Sequence, residues 1–102
     1  MRIGLPAVLL SAALLSACAD DSSPAAKGKQ IYLAQCITCH NSDPSKPGPL
    51  GPPVNGSSPE LLEAKLLRGS YPPGYSPKRN TAIMPPQPQL APYVQDLAVF
   101  LR

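Results

Sequence analysis

The amino-acid sequence contains no tryptophan, one phenylalanine, one histidine and few charged residues, which make up 15% of the chain. Its 102 residues allow at most one small domain and leave little room for a large enzyme scaffold. The 15 prolines and seven glycines follow no repeat period, which argues against collagen-like, coiled-coil and solenoid folds. The three cysteines are an odd number, so disulfide pairing within the chain cannot account for all of them.

A short apolar segment lies at the start of the chain. Residues 3–15 are almost entirely apolar; they follow the basic Arg2 and precede two small residues. This pattern predicts a secretory signal peptide over residues 1–17, because the apolar run is shorter than the roughly 20 residues that span a membrane. Residues 15–18 (LSAC) are similar to the lipobox of bacterial lipoproteins, which implies that cleavage makes Cys18 the first residue and that its sulfur carries a lipid. The alternative is an ordinary signal peptide with Cys18 near the cleavage site by chance.

The predicted mature chain starts with a short linker. Residues 18–25 are small and polar and show no apolar periodicity, so we expect a flexible tether, followed by one folded domain at residues 26–102. Removing residues 1–17 takes away one of the nine basic residues and none of the six acidic ones, which lowers the formal net charge from +3 to +2. This charge is too small to indicate nucleic-acid binding. A domain of this size buries only about 60–65% of its unfolded surface, so we expect a cofactor or a covalent cross-link to stabilise it.

Residues 36–40 carry the strongest chemical signal. Cys36, Cys39 and His40 form Cys-x-x-Cys-His, the attachment motif of c-type haem. Two thiols one helical turn apart can each add to a vinyl group on the same edge of the macrocycle, and the histidine after them is placed to ligate the iron. A redox-active dithiol would need a βαβ pattern, which is not visible around the motif. A zinc site would need four ligands where only three remain once Cys18 is acylated, and a disulfide would leave His40 unexplained.

Met84 is the candidate for the second axial ligand of the iron. It is the only methionine after the predicted signal peptide, and His40 is the only histidine. Pro85 and Pro86 follow Met84 and stiffen the backbone next to it. Methionine and histidine together suit electron transfer, whereas an open sixth position suits gas binding or peroxidase-like chemistry. The alternative is that Met84 only fills the core, as methionine often does.

Three segments carry helix signals. Residues 27–39 are compatible with a helix that leads into the cysteine motif. Ser58 is a candidate N-cap, Pro59 suits the first helical position, and Gly69 is placed to end the same helix. Pro92 opens the last predicted helix, which continues to the end of the apolar pattern at position 101.

Between the helix signals the chain is rich in proline. Residues 41–56 and 70–80 each contain several prolines with glycine, and we predict loops there. No strand pattern is present. The predicted fold class is therefore all-α, with three or four short helices and proline-rich loops around one covalently bound haem.

Over residues 26–102 the chain resembles class I c-type cytochromes, and small bacterial monohaem cytochromes in particular. The resemblance rests on the cysteine motif, on residues 51–56 (GPPVNG) and on Met84 shortly before a C-terminal helix. Residues 51–56 are similar to the Gly-Pro-x-Leu-x-Gly segment of that family, with valine in place of leucine. The resemblance implies a cytochrome c-like fold.

The same resemblance implies roles for residues outside the cysteine motif. The carbonyl of Pro52 is the expected acceptor for the second N–H of the haem-ligating histidine, a bond that fixes the ring and raises its basicity. Gly28 and Tyr32 are expected to pack against Phe100 where the first and last helices cross. Five polar residues could donate hydrogen bonds to the haem propionates or to the iron ligand, but we interpret them as solvated surface residues: Arg68, Tyr71, Tyr75, Arg79 and Asn80.

We therefore expect an electron carrier with a single covalent haem c, and not an enzyme. Cys36 and Cys39 would hold the haem, His40 and Met84 would ligate the iron, and a lipid on Cys18 would anchor the protein. The alternatives are a haem enzyme or sensor with a labile sixth ligand, and a subunit that docks permanently on a larger oxidoreductase. The absence of a second histidine favours the carrier.

The expected partners are redox proteins and a membrane, and we expect a monomer that does not bind nucleic acid. A lipoprotein would lie on the periplasmic side of a bacterial membrane, and Ala19 after the lipidated cysteine resembles the signal for sorting to the outer membrane. Two haem propionates would offset the net charge of +2, so strong electrostatic steering toward a partner is not expected.

Overall fold

The computed structural model describes residues 3–4 and 22–102. The rest of the predicted signal peptide, the predicted lipid-attachment residue Cys18 and the first part of the predicted tether lie outside the described residues. The described elements are α1 (Pro24–Gln35), α2 (Pro59–Arg68), a 3-10 helix (Pro88–Tyr93) and α3 (Val94–Phe100), with no strand among them. The all-α prediction is confirmed. None of these helices has the length and apolarity that crossing a membrane requires.

Helix α1 begins three residues before its predicted start at Lys27. The hydroxyl of Ser23 accepts a hydrogen bond from the backbone N–H of Ala26 (3.2 Å), and Pro24 occupies the first helical turn. This Ser-Pro start is the same capping signal that the sequence analysis recognised at Ser58. The end of the segment predicted as a flexible tether is therefore helical.

Helix α1 also ends earlier than predicted, at Gln35 rather than at Cys39. The backbone N–H of Cys36 makes the last helical bond, to the carbonyl of Tyr32 (2.9 Å). The N–H groups of Cys39 and His40 then both donate to the carbonyl of Cys36, at 3.3 and 2.9 Å. The cysteine motif thus forms a tight turn directly after the helix.

Helix α2 has the bounds that the sequence predicts. Ser58 accepts a hydrogen bond from the N–H of Leu61 (3.1 Å), with proline at the first helical position. Gly69 ends the helix in the left-handed conformation, with φ +63°, and its N–H donates to the carbonyl of Lys65 (3.1 Å). That backbone angle favours glycine over residues with a side chain.

The C-terminal segment differs from the prediction that Pro92 opens the last helix. Pro92 lies inside the 3-10 helix, which starts four residues earlier at Pro88. Proline has no N–H, so Pro92 cannot donate to the carbonyl four residues before it, and the N–H of Val94 donates to the carbonyl of Ala91 in a tighter turn. The α-helical pattern begins only at Val94.

The two terminal helices cross at Gly28, as the family resemblance implies. A Cβ atom on Gly28 would lie 2.9 Å from the Cβ of Phe100 and even closer to the carbonyl of Asp96, so a side chain there would force the helices apart. The rings of Tyr32 and Phe100 are 5.5 Å apart and tilted by 48°. A core cluster of five buried side chains lies beside this crossing: Tyr32, Leu66, Leu90, Leu97 and Leu101.

Candidate functional site

His40 is the one buried charged or polar side chain in the described part of the chain, with 8% of its surface exposed. Its Nδ1 lies 2.9 Å from the carbonyl oxygen of Pro52, twelve residues later. Because a carbonyl can only accept, Nδ1 carries the proton and donates it, so in the neutral form of the ring the free electron pair is on Nε2. A neutral imidazole is the form that ligates iron, and the hydrogen bond at Nδ1 fixes the ring and raises its basicity. The structure thus brings His40 and Pro52 together.

Two glycines allow the following loop to fold directly under the cysteine motif. A Cβ on Gly51 would collide with the imidazole ring of His40, 2.9 Å from Nε2 and closer still to Nδ1. A Cβ on Gly48 would lie 2.6 Å from the Cα of His40. The N–H groups of Leu50 and Gly51 both donate to the carbonyl of Cys39, at 3.1 and 2.8 Å. Because Gly48 and Gly51 have no side chains, the loop can lie against the backbone of His40 and against its ring.

Tyr32 supports the backbone beside His40 through a contact that the sequence analysis did not predict. Its ring packs in the core cluster, and its hydroxyl donates to the carbonyl of Asn41, the residue after the histidine. Burial, together with the nearby Cys36 and Asp43, raises the pKa of Tyr32 to about 12. The hydroxyl therefore keeps its proton and remains a donor at neutral pH.

Cys36 and Cys39 are both half-buried. Cys36 packs against the core cluster, and this burial raises the pKa of its thiol to about 11. Without a bound group, the Cys36 thiol therefore keeps its proton at neutral pH. In the described part of the chain no group of three or more His, Cys, Asp and Glu side chains could hold a metal ion.

Most of the predicted site residues line one cavity. Its volume is about 940 Å³ when the solvent at its mouth is included. It is bounded by α2, by the loop after His40 and by the loop that carries Met84. Cys39 and Pro52 also line it, whereas Cys36 lies outside its lining. The apolar part of the wall is formed by six aliphatic side chains: Leu50, Val54, Leu61, Leu62, Leu66 and Ile83.

One edge of the cavity is positively charged. Lys65, Lys78 and Arg79 line it, and no aspartate or glutamate is among the lining residues of the described chain. The ammonium of Lys65 lies 4.5 Å from the ring centre of Tyr71, which stacks on Tyr75 at 5.5 Å. Arg68, Tyr71, Arg79 and Asn80 are exposed, as expected of surface residues, whereas Tyr75 is half-buried because it stacks on Tyr71 at the cavity.

A family model described as cytochrome c matches residues 25–101, which is most of the chain. The chain belongs to the cytochrome c family. No curated protein and no solved structure matched the chain. The three α-helices, with no strand among the described residues, agree with the all-α fold of this family.

Members of the cytochrome c family carry covalently attached haem c, and Cys36 and Cys39 fit its attachment motif. The site fits such a group on the observations above: a histidine whose Nδ1 is hydrogen-bonded to a carbonyl, two half-buried cysteines, a largely apolar cavity and two glycines against the histidine. As a member of this family the protein is a haem-binding electron carrier. Small cytochrome c domains generally carry electrons rather than catalyse reactions.

Proposed function

We propose that this cytochrome is a lipid-anchored carrier of single electrons and that His40 and Met84 are the axial ligands of its iron. The observation that carries the ligand assignment is that both side chains line one cavity together with Cys39. Residues 18–102 contain no other histidine and no other methionine. The haem iron, when bound, supplies the exchange of one electron between its ferrous and ferric states.

The surroundings of Met84 suit a side chain that stays bound to the haem iron. It is half-buried and packs against the core cluster, although its neighbour Ile83 is 62% exposed. A thioether carries no charge, so its burial costs little, and methionine opposite histidine raises the reduction potential of a haem. If both protein ligands stay in place, electron exchange needs little rearrangement of the chain.

Carbon monoxide provides the direct test of this proposal. We expect the reduced, haem-loaded protein to give a low-spin optical spectrum that shows no rapid change when the gas is added, because carbon monoxide can bind only after Met84 leaves the sixth position. The measurement is an absorption spectrum of the ferrous protein before and after equilibration with carbon monoxide. Rapid formation of a gas adduct would contradict the proposal and favour a haem enzyme or sensor with a labile sixth ligand.

The proposed anchor is a lipid on Cys18, on the periplasmic side of a bacterial membrane. Ala19 after this cysteine supports the outer membrane as that membrane. Helix α1 is capped by Ser23, so only residues 19–22 separate the lipidated cysteine from the start of the helix. Five steps along a fully extended chain span at most about 18 Å. The domain would therefore remain close to the membrane surface, where it could exchange electrons with membrane-bound partner proteins.

Replacing the lipidated cysteine tests the anchor separately from the haem. We expect Cys18→Ser to move the cytochrome from the membrane fraction to the soluble fraction, because two acyl chains are needed for stable anchoring at about 0.8 kcal/mol per buried methylene. The haem content of the variant should equal that of the unmodified chain. A Cys18→Ser protein that has lost residues 1–17, as checked by its mass, and still stays in the membrane fraction would contradict the proposed lipid anchor.

A further inference from the structure

The side chain of Lys78 connects the two loops that face each other across the cavity. Its ammonium donates a hydrogen bond to the carbonyl of Pro53 at 2.7 Å, across 25 residues of sequence. The preceding carbonyl, that of Pro52, accepts the Nδ1 proton of His40. Two consecutive carbonyls of one loop thus bind the histidine on one side and the loop of Met84 on the other.

Residues 76–86, which we call the ligand segment, have few other attachments to the protein. The backbone N–H of Tyr75 donates to the carbonyl of Pro72 before the segment, and that of Gln87 donates to the carbonyl of Leu66 after it. Between these two bonds, the contact from Lys78 to Pro53 is the one hydrogen bond that the ligand segment makes within the described part of the chain. Most side chains of the segment are exposed, and Met84 is its half-buried exception.

The stiffness of both loops makes this single contact effective. Pro52 and Pro53 have fixed φ angles, and the N–H of Val54 donates to the carbonyl of Pro44 (2.8 Å), so the backbone on both sides of the acceptor carbonyl is restrained. In the ligand segment, Pro77 precedes Lys78 and Pro85 follows Met84, which limits the conformations that the backbone between them can adopt. A hydrogen bond at Lys78 therefore restricts where Met84 can lie.

We infer that Lys78 is a positioning residue that holds the ligand segment against the loop of Pro52 and Pro53 and thereby keeps Met84 at the sixth position of the iron. The inference rests on the proposed ligation by Met84. Loss of the hydrogen bond should increase the fraction of molecules in which the ligand segment has moved away. The free sixth position in those molecules would admit an external ligand.

Lys78 also places a positive charge at the cavity, and this effect has to be separated from the hydrogen bond. Arg79 is the matched control because it lines the same edge and carries the same charge. It makes no hydrogen bond within the described residues. Lys78→Leu and Arg79→Leu therefore remove equal charge from adjacent positions and add no group that could ligate iron, but only Lys78→Leu removes the contact to Pro53.

The test measures how fast carbon monoxide binds to the reduced, haem-loaded full chain. We expect Lys78→Leu to bind the gas roughly fivefold faster than the unmodified protein, the effect of losing one hydrogen bond that closes the segment. Lys78→Arg keeps a cationic donor and should restore the rate to within about twofold. Arg79→Leu should bind the gas at the unmodified rate, even where its reduction potential shifts by as much as that of Lys78→Leu. Because Lys78 and Arg79 are both exposed, we expect all three variants to fold.

The possible results distinguish the inference from the proposal on which it rests. A rate for Lys78→Leu equal to that of the unmodified protein, with slow binding by both, would overturn the role of Lys78 and leave ligation by Met84 intact. Equal acceleration in Lys78→Leu and Arg79→Leu would also overturn it, because charge alone would then explain the effect. Rapid binding by the unmodified protein would overturn ligation by Met84 and the role of Lys78 together.

Discussion

A chain in which Cys36 and Cys39 are both alanine is expected to carry no covalently attached haem, because both thiols that could form thioether bonds are absent. The same change should destabilise the fold. The described residues contain only eight buried hydrophobic side chains, and the apolar wall of the cavity is exposed to water when no haem covers it. We expect the loss of bound haem to cost about 5 kcal/mol of unfolding free energy, a large share of the total for a domain of this size.

Mass spectrometry under denaturing conditions measures the covalent haem, and far-UV circular dichroism measures the helix content. Cys18→Ser is the matched control, since it removes the third cysteine of the chain outside the motif. That control should keep the mass of the attached haem and the helical spectrum. Haem that stays attached to the double variant after denaturation would contradict the assignment of Cys36 and Cys39.

Local capping signals explain which helices could be predicted from the sequence. At α2, the N-cap Ser58 and the left-handed Gly69 define both ends, and the helix has the predicted bounds. The same Ser-Pro signal is present at Ser23, but the surrounding small and polar residues were interpreted as a tether. Proline suits the first turn of a helix, which is why Pro92 predicts a helix start. Here Pro92 has no N–H to donate to an α-helical bond, and the chain around it forms a 3-10 helix.

Contacts within the site were predictable only where a motif marks both partners. His40 and Pro52 belong to two recognisable motifs, and the structure brings them together. The hydroxyl of Tyr32 reaches the carbonyl of Asn41, and the ammonium of Lys78 reaches that of Pro53. A backbone carbonyl is present at every residue, so nothing in the sequence indicates which one a distant side chain will bind. Such contacts depend on how the proline-rich loops pack, and that packing has no periodic pattern.

Replacement of Met84 by alanine is expected to have the largest effect on the redox properties of the protein. The sixth position would lose its thioether, so we expect the reduction potential to fall by on the order of 100 mV, because methionine opposite histidine raises the potential of a haem. The ferric spectrum should change from low-spin to high-spin, and the ferrous form should bind carbon monoxide rapidly. Potentiometric titration followed by optical spectroscopy measures the first two effects, and gas-binding kinetics measure the third.

Ile83→Ala is the control that separates ligation from packing around the cavity. Ile83 is adjacent to Met84, lines the same cavity and is mostly exposed, so its truncation removes apolar contact while the thioether remains. We expect this variant to keep the low-spin spectrum and to show little change in potential. If Met84 only filled space, its replacement would resemble that of Ile83. An unchanged ferric spectrum and potential in Met84→Ala would therefore remove Met84 as the ligand and would point to a sixth position that the chain leaves open.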